Sequence, residues 1–112
     1  MPMNKIHVSK KARADLTEIK RYIEVELENP TAARAVTRRI TDDIHALRDH
    51  AMLGAPLHSA AAAPGNYRFL VTGNYLTFYR VSGADVYVDR ILYGRRDYLA
   101  YLFGKSAPQE NS

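Results

Sequence analysis

The stretch YRFLVTGNYLTFYRVSGADVYVDRIL, residues 67–92, contains three strand patterns that are separated by turn signals. Aromatic and β-branched residues predict strands at residues 67–71, 75–81 and 86–92. The connections TGN and SGAD carry the glycine, asparagine and aspartate that tight turns favour. Because short connections of this kind join antiparallel neighbours, the stretch predicts an antiparallel β-meander.

Two helices are predicted before the meander, after a short strand at residues 4–8. Ser9 is the expected N-cap of a first helix over residues 10–28, and Asn29 is the expected cap of a second helix that begins at Pro30. In each helix, apolar residues recur at spacings of three and four and form one stripe: Ala12, Leu16, Ile19, Ile23 and Leu27, then Ala33, Val36, Ile40, Ile44 and Leu47. The short break between the helices predicts an antiparallel helical hairpin, whose charged side chains we expect to be solvated.

The remaining segments complete the expected architecture. Residues 51–66 are rich in glycine and proline and predict a loop that could hold a short strand or turn. Residues 95–104 predict a short terminal helix, and residues 105–112 a disordered tail. We therefore expect one α+β domain over residues 1–104, in which an N-terminal strand and an antiparallel helical hairpin pack on a small antiparallel β-meander, followed by a short C-terminal helix.

Composition excludes several classes of protein. The 112 residues include no cysteine, which excludes disulfides and thiolate chemistry, and the four histidines lack metal-ligand spacing. No apolar run approaches the roughly 18 residues of a membrane span, and the first residues lack the apolar core of a secretory signal. We expect a cytoplasmic protein without a membrane contact, a metal or a cofactor. The net charge of +4 is a weak indication of a nucleic acid or an acidic partner.

Arginine and tyrosine are concentrated in the C-terminal half of the chain. Between residues 65 and 105 the cations are Arg68, Arg80, Arg90, Arg95, Arg96 and Lys105, and the acids are Asp85, Asp89 and Asp97. Strand alternation directs Leu76, Phe78 and Arg80 to the same face of the sheet. Since two helices can cover one face only, the second face is either a partner-binding surface or is closed by the loop and the C-terminal segment.

YRFLVTGNYLTFYRV followed by VYVDRILYGRRD resembles the RelE/ParE superfamily of bacterial toxins from type II toxin–antitoxin systems, and DLTEIKRYI is similar to the first helix of that family. The resemblance covers residues 6–103. It implies a plasmid-stabilising, growth-inhibiting toxin that a cognate antitoxin holds inactive. RelE-like members cleave mRNA on the ribosome, whereas ParE-like members inhibit DNA gyrase without a chemical step of their own.

The residues that distinguish the two branches favour ParE. The RelE-like pattern places an arginine in the middle strand, where this chain has Leu76, and lysines in the preceding strand, where it has Arg68 and Leu70. Arg96 matches the arginine after the last strand, and Tyr101 lies near the position of the tyrosine that follows. No histidine or glutamate lies between residues 65 and 105 to serve as an acid or base. The resemblance therefore implies a gyrase inhibitor rather than an enzyme. The alternative is a ribosome-dependent mRNA endoribonuclease that uses Arg68, Arg96 and Tyr101, and a third possibility is an inactive basic binding module.

The expected partners are a ParD-like acidic antitoxin, which would form a hetero-oligomer with the chain, and DNA gyrase as the target. An indirect contact with DNA or the ribosome stays open. The residues expected to bind antitoxin or target are Arg68, Arg80, Arg90, Tyr93, Arg95, Arg96, Asp97 and Tyr98. Several of them also have a structural alternative: Arg68 or Arg80 could pair with Asp85 or Asp89 across the sheet, and the cluster RRD could be a local salt bridge.

Overall fold

The computed structural model describes residues 3–57 and 67–94. The elements in chain order are β1 (Lys5–Val8), α1 (Lys10–Arg21), a π-helical turn (Tyr22–Glu26), α2 (Pro30–His45), a 3₁₀ turn (Ala46–Arg48), β2 (Ala55–Pro56), β3 (Tyr67–Thr72), β4 (Tyr75–Ser82) and β5 (Asp85–Tyr93). The strand, the helical hairpin and the meander are confirmed, and β2 is the short strand that the loop could hold. The predicted terminal helix and the predicted disordered tail lie outside the described residues.

The caps of the helical hairpin are those expected from the sequence. The Ser9 hydroxyl accepts a hydrogen bond from the Ala12 N–H at 2.9 Å, and the Asn29 side chain accepts one from the Ala32 N–H at 3.0 Å. Pro30 lies in the first turn of α2, where its missing N–H costs no hydrogen bond. These local contacts fix where both helices begin.

The first helix ends differently from the prediction. Regular α-helix stops at Arg21, and the chain continues as a π-helical turn in which the Leu27 N–H bonds to the Tyr22 carbonyl at 3.2 Å. A π turn has more residues per turn than an α-helix, so the apolar stripe rotates away from the core. Leu27, expected in the stripe, is 56% exposed, while Ile23 before it is buried.

The sheet has the strand order β1-β5-β4-β3-β2 and is mixed. β3, β4 and β5 form the predicted antiparallel meander, but β1 pairs with β5 in parallel, with Lys5 opposite Asp85. Gly73 and Gly83 have φ angles of 60° and 61°, which glycine adopts without strain, and this allows the tight turns of the meander. The predicted antiparallel meander is confirmed. The sequence predicted no partner for β1, which is separated from β5 along the chain by the helical hairpin and by β2, β3 and β4.

One face of the sheet carries the helices and the core. The core residues are Ala12, Ile40, Ile44, Leu47, Leu70, Tyr79, Val86, Val88 and Ile91. The buried Tyr79 hydroxyl accepts a hydrogen bond from the Gly54 N–H at 2.8 Å and donates one to the Ala51 carbonyl at 2.8 Å. Tyr79 thus ties the loop before β2 to the core without leaving its own hydroxyl unsatisfied. We call the opposite face of the sheet the outer face.

Candidate functional site

Four side chains form a row across the outer face. Strand register places His7 of β1 opposite Tyr87 of β5, Tyr87 opposite Arg80 of β4, and Arg80 opposite Tyr67 of β3. Val86 and Val88 point into the core, so strand alternation turns Tyr87 between them outward. We call His7, Tyr87, Arg80 and Tyr67 the polar row.

Arg80 is the central cation of the polar row. Its Nε lies 3.3 Å from Asp89 Oδ2, and its guanidinium carbon lies 4.7 Å from the centre of the Tyr87 ring. Asp89 lies on the same face as Tyr87 by strand alternation, at a bulge in β5 where Tyr79 pairs with Val88 and the residue before Tyr79 pairs with Arg90. The side chain of Arg80 remains 41% exposed, so the ion pair and the ring orient the guanidinium at the surface.

Tyr67 is a second hydrogen-bond donor to Asp89. Its hydroxyl donates to Asp89 Oδ2 at 2.7 Å. Burial raises the pKa of Tyr67, and the hydrogen bond to Asp89 and the negative charge of that carboxylate raise it further. Tyr67 therefore stays protonated and is a hydrogen-bond donor rather than a base at neutral pH.

His7 places a histidine on this face, although none was expected near the strands of the meander. Its Nε2 lies 2.9 Å from Asp85 Oδ1, and its ring stacks on Tyr87 with the centres 4.8 Å apart. Strand alternation places Lys5, which lies opposite Asp85, on the same face as His7. The row and its neighbours therefore carry Arg80 and Lys5 against the carboxylates of Asp85 and Asp89. Because these charges balance and Arg80 is already paired with Asp89, this part of the outer face lacks the excess of positive charge that a phosphate clamp needs.

An apolar strip lies beside the polar row. Val71, Leu76 and Leu92 are opposite one another on three adjacent strands, and Val71 is 61% exposed. Between this strip and the polar row, the rings of Phe69 and Phe78 lie 6.3 Å apart. The outer face of the described strands is thus apolar at one end and polar and aromatic at the other.

Arg68 and Arg80, predicted to share a binding face, lie on opposite faces of the sheet. Arg68 pairs with Tyr79, whose side chain is in the core. Its Nε donates to the Gly54 carbonyl at 3.0 Å and its Nη2 to the Met52 carbonyl at 3.3 Å, so it supports the loop before β2. The cross-strand ion pair that the sequence left open is present for Arg80 and absent for Arg68 among the contacts of the described residues.

Arg90 and Tyr93 are also separate from the polar row. Arg90 makes two hydrogen bonds to Asp15 of α1, at 2.8 and 2.9 Å, and these side chains are only 18% and 14% exposed. Tyr93 is 67% exposed and packs edge-on against Tyr75 with the ring centres 5.5 Å apart. Burial raises the pKa of Tyr75, and repulsion from the negative charges that Tyr93 and Tyr22 carry when ionised raises it further.

The structure therefore does not gather the predicted binding residues into one cluster. Arg80 belongs to the polar row, while Arg68, Arg90 and Tyr93 lie at three other places. Five predicted residues lie outside the described part of the chain: Arg95, Arg96, Asp97, Tyr98 and Tyr101. The roles of all of these residues in binding remain predictions.

Residues 3–57 and 67–94 contain neither a cluster of metal ligands nor a helix that could span a membrane. No three histidine, cysteine, aspartate or glutamate side chains in these ranges come together as metal ligands. Within the same ranges, no helix is both long enough and apolar enough to cross a bilayer.

Comparison with known proteins agrees with this architecture. The family model for the ParE toxin of the type II toxin–antitoxin system parDE matches residues 6–98. A chain in the solved structure of the chromosomal ParDE system from P. aeruginosa is 26% identical, with a TM-score of 0.69 over 83% of this chain and 98% of that one. A chain of the toxin–antitoxin complex RelBE2 from Mycobacterium tuberculosis shares the fold at 20% identity, with a TM-score of 0.55 over 84% of this chain and 94% of that one. No curated protein matches the sequence.

Proposed function

Because this chain belongs to the ParE toxin family of type II toxin–antitoxin systems, we propose that it inhibits DNA gyrase by binding it and that a cognate antitoxin neutralises the chain. The similar chain from P. aeruginosa belongs to a ParDE system, which supports an antitoxin partner. The proposal requires a binding surface and no catalytic group.

The position of Leu76 is the observation that carries this proposal. Cleavage of mRNA through a 2′-hydroxyl requires cations on the scissile phosphate and an acid–base pair. Leu76 takes the middle-strand position where the resemblance places the RelE-like arginine, and its neighbours are the apolar Val71 and Leu92. A leucine inside an apolar strip cannot stabilise a phosphate, so this position suits protein contact better than catalysis.

The polar row has the composition of a protein-binding surface. Tyrosine and arginine are the residue types that most often dominate binding energy at interfaces. Arg80 is held in one orientation by Asp89 and Tyr87, so little side-chain entropy remains to be lost on binding. We assign the polar row, with Arg80 at its centre, to contact with gyrase.

Expression in cells tests this proposal. The wild-type chain should arrest growth and induce a DNA-damage reporter while mapped mRNAs stay intact, and co-expression of the antitoxin should reverse both effects. Arg80→Ala should lose the growth arrest and keep the wild-type far-UV spectrum, because a side chain that is 41% exposed contributes little to folding. Arg39→Ala, an exposed arginine of α2, is the matched control and should remain toxic. An Arg80→Ala chain as toxic as wild type would refute the assignment of the row.

The alternative is a RelE-like ribosome-dependent endoribonuclease, and one observation favours it. His7 and Asp85 form an exposed pair on the same face as Arg80, which supplies the histidine that the meander lacks. If this pair acted as a general base, the wild-type chain would cut mRNA on translating ribosomes and leave supercoiling by gyrase unaffected, and His7→Ala would abolish the cuts. Such cuts would replace gyrase inhibition as the function.

A further inference from the structure

The loop that precedes β2 exposes two adjacent apolar side chains. Met52 is 62% exposed and Leu53 is 53% exposed, whereas Gly54 after them is buried. Turns are usually formed by glycine, proline, asparagine, aspartate or serine, none of which presents a large apolar side chain to water. We call residues 51–54 the apolar loop. Single exposed apolar residues are common on protein surfaces, so the significance of this pair depends on how firmly the loop holds it.

Tyr79 fixes both ends of the apolar loop from the core. Its hydroxyl donates a hydrogen bond to the Ala51 carbonyl at 2.8 Å and accepts one from the Gly54 N–H at 2.8 Å. Between these two points, the Leu53 N–H bonds to the His50 carbonyl at 3.0 Å. Because Tyr79 is fully buried, the loop is held by a side chain that cannot move without disturbing the core.

Arg68 and the sheet prevent the loop from shifting sideways. Arg68 Nε donates to the Gly54 carbonyl at 3.0 Å, and its Nη2 donates to the Met52 carbonyl at 3.3 Å. A Cβ at Gly54 would lie 2.5 Å from the Phe69 carbonyl oxygen and 2.8 Å from the Tyr79 ring, so the loop backbone packs directly on the sheet. All of these contacts use the backbone of the loop. None of them therefore requires the side chains at positions 52 and 53 to be apolar.

A rigid loop with exposed apolar side chains is suited to binding. Because its backbone is ordered before any contact, little entropy remains to be lost when the two side chains enter a partner. Methionine is enriched at protein interfaces, and its flexible, polarisable side chain adapts to pockets of irregular shape. Loops that a rigid scaffold positions often carry binding residues. The apolar loop thus has the properties of an anchor that inserts into a partner.

The apolar loop lies at the edge of the sheet where the polar row ends. Tyr67 is the last member of the row, and the N–H of Leu57, which follows β2, bonds to its carbonyl at 2.9 Å. The row spans four strands, or about 14 Å. One partner's share of a standard interface, about 800 Å², is about 28 Å across. A target protein seated on the row must therefore extend beyond it, and β2 with its preceding loop is next in that direction.

Arg68 gives the surroundings of the apolar loop a positive charge. Among the ion pairs of the described residues, none includes Arg68. Its guanidinium is held beside the loop by the bond to the Met52 carbonyl. Arg48 and Asp49, just before the loop, carry opposite charges that offset each other. An acidic residue on the rim of a pocket that receives Met52 would therefore complement Arg68.

We propose that the apolar loop inserts Met52 and Leu53 into an apolar pocket of the target protein, and that an acidic residue at the rim of this pocket contacts Arg68. This inference rests on the proposed function, because it assumes that the chain acts by binding a target protein. It adds a second contact to that of the polar row. The two contacts together approach the width of a standard interface, which the row alone does not.

The test uses the full chain under an inducible promoter and measures the cellular toxin concentration that halves the growth rate. The loop variant, Met52→Ala with Leu53→Ala, removes both apolar side chains. Val25→Ala with Leu27→Ala is the matched control, because these side chains at the π-helical turn are 57% and 56% exposed and belong to another part of the chain. Exposed side chains contribute little to folding, so both variants should melt within about 2 °C of wild type.

The loop variant should need at least about tenfold more protein than wild type for the same growth arrest, and the control less than about threefold more. Met52→Leu with Leu53→Met keeps the apolar volume of the loop and should also stay within about threefold of wild type. A loop variant as potent as wild type, or a control that is weakened as much as the loop variant, overturns the inference.

Two further measurements separate other roles of the loop from the proposed one. A loop variant that loses affinity for the purified protein encoded by the neighbouring reading frame, but still arrests growth, would assign the loop to the antitoxin. A loop variant that loses only self-association in sedimentation would assign it to a second copy of the chain; either result overturns the inference.

Supercoiling by purified gyrase is measured with the same proteins, which separates this inference from the proposed function. A wild-type chain that arrests growth without inhibiting gyrase refutes the gyrase target and leaves the growth-arrest ratio of the loop variant intact. A wild-type chain that does not arrest growth overturns both.

Discussion

Removal of the Asp15 carboxylate should destabilise the fold more than any exposed charge change. Asp15 accepts three hydrogen bonds: from Arg90 Nε at 2.8 Å, from Arg90 Nη2 at 2.9 Å and from the Ile91 N–H at 2.9 Å. Together they join α1 to the bulged part of β5. Asp15→Ala would remove all three while keeping a good helix former in α1.

The magnitude follows from the burial of the pair. Loss of one partner of a buried ion pair costs about 3–5 kcal/mol. Because the side chains of Arg90 and Asp15 retain 18% and 14% exposure, water can partly replace the lost contacts, and we expect about 2–4 kcal/mol. A domain of this size loses roughly 4 °C of melting temperature per kcal/mol, so the midpoint should fall by about 8–16 °C.

Thermal unfolding followed by circular dichroism measures this change, and Glu18→Ala is the matched control on the same helix. The Glu18 carboxylate lies 3.6 Å from Arg21 and both side chains are mostly exposed, so its loss should cost less than about 0.5 kcal/mol. The double variant Asp15→Ala with Arg90→Ala should be less destabilised than the sum of the two single variants. The pair does not hold α1 on the sheet if Asp15→Ala melts within about 2 °C of wild type. The same conclusion follows if the destabilisation of the double variant equals the sum of the losses in the two single variants.

Three further predictions concern the core and the polar row. Tyr79→Phe removes the hydroxyl that bonds two buried backbone groups and should cost about 1–3 kcal/mol in chemical denaturation; a smaller loss would mean that water replaces it. Gly54→Ala should destabilise the chain clearly in the same assay, because the new Cβ would lie 2.5 Å from the Phe69 carbonyl oxygen; a wild-type midpoint would show that the loop shifts freely. The raised pKa of Tyr67 contributes stability that is fully present below its ordinary value of 10.0 and is lost as pH rises through the higher folded value. Asp89→Asn should shift the ionisation of Tyr67 to lower pH, because the mutation removes the negative charge that raises its pKa. The phenolate absorbance of Tyr67 is obtained by subtracting the titration of Tyr67→Phe, and an unchanged titration would contradict the role of Asp89.

The elements that the sequence predicted well depend on local chemistry. Ser9 and Asn29 cap their helices through contacts three residues away, and the meander follows from short turns. Local rules could not give the parallel pairing of β1 with β5, because those strands are about eighty positions apart in the chain. The π-helical turn that exposes Leu27 has no clear signal in the sequence.

The candidate site was harder to predict because it depends on register. Residues from β1, β3, β4 and β5 meet in the polar row, and Asp89, which pairs with Arg80, lies at a bulge in β5. One signal was available: the two-residue connection after Thr72 makes Thr72 pair with Tyr75, which sets Arg68 opposite Tyr79 and on the core side. The separation of Arg68 from Arg80 could thus have been derived, whereas the position of His7 beside Tyr87 could not.

Supercoiling by purified gyrase tests the central claim most directly. Wild-type chain should inhibit supercoiling of relaxed plasmid in a dose-dependent manner, Arg39→Ala should inhibit equally, and Arg80→Ala should need at least about tenfold more protein for the same inhibition, as expected of a central arginine at an interface. The same preparation should leave mRNA on translating ribosomes intact. Full supercoiling in the presence of excess folded wild-type chain, together with ribosome-dependent mRNA cuts, would contradict the account.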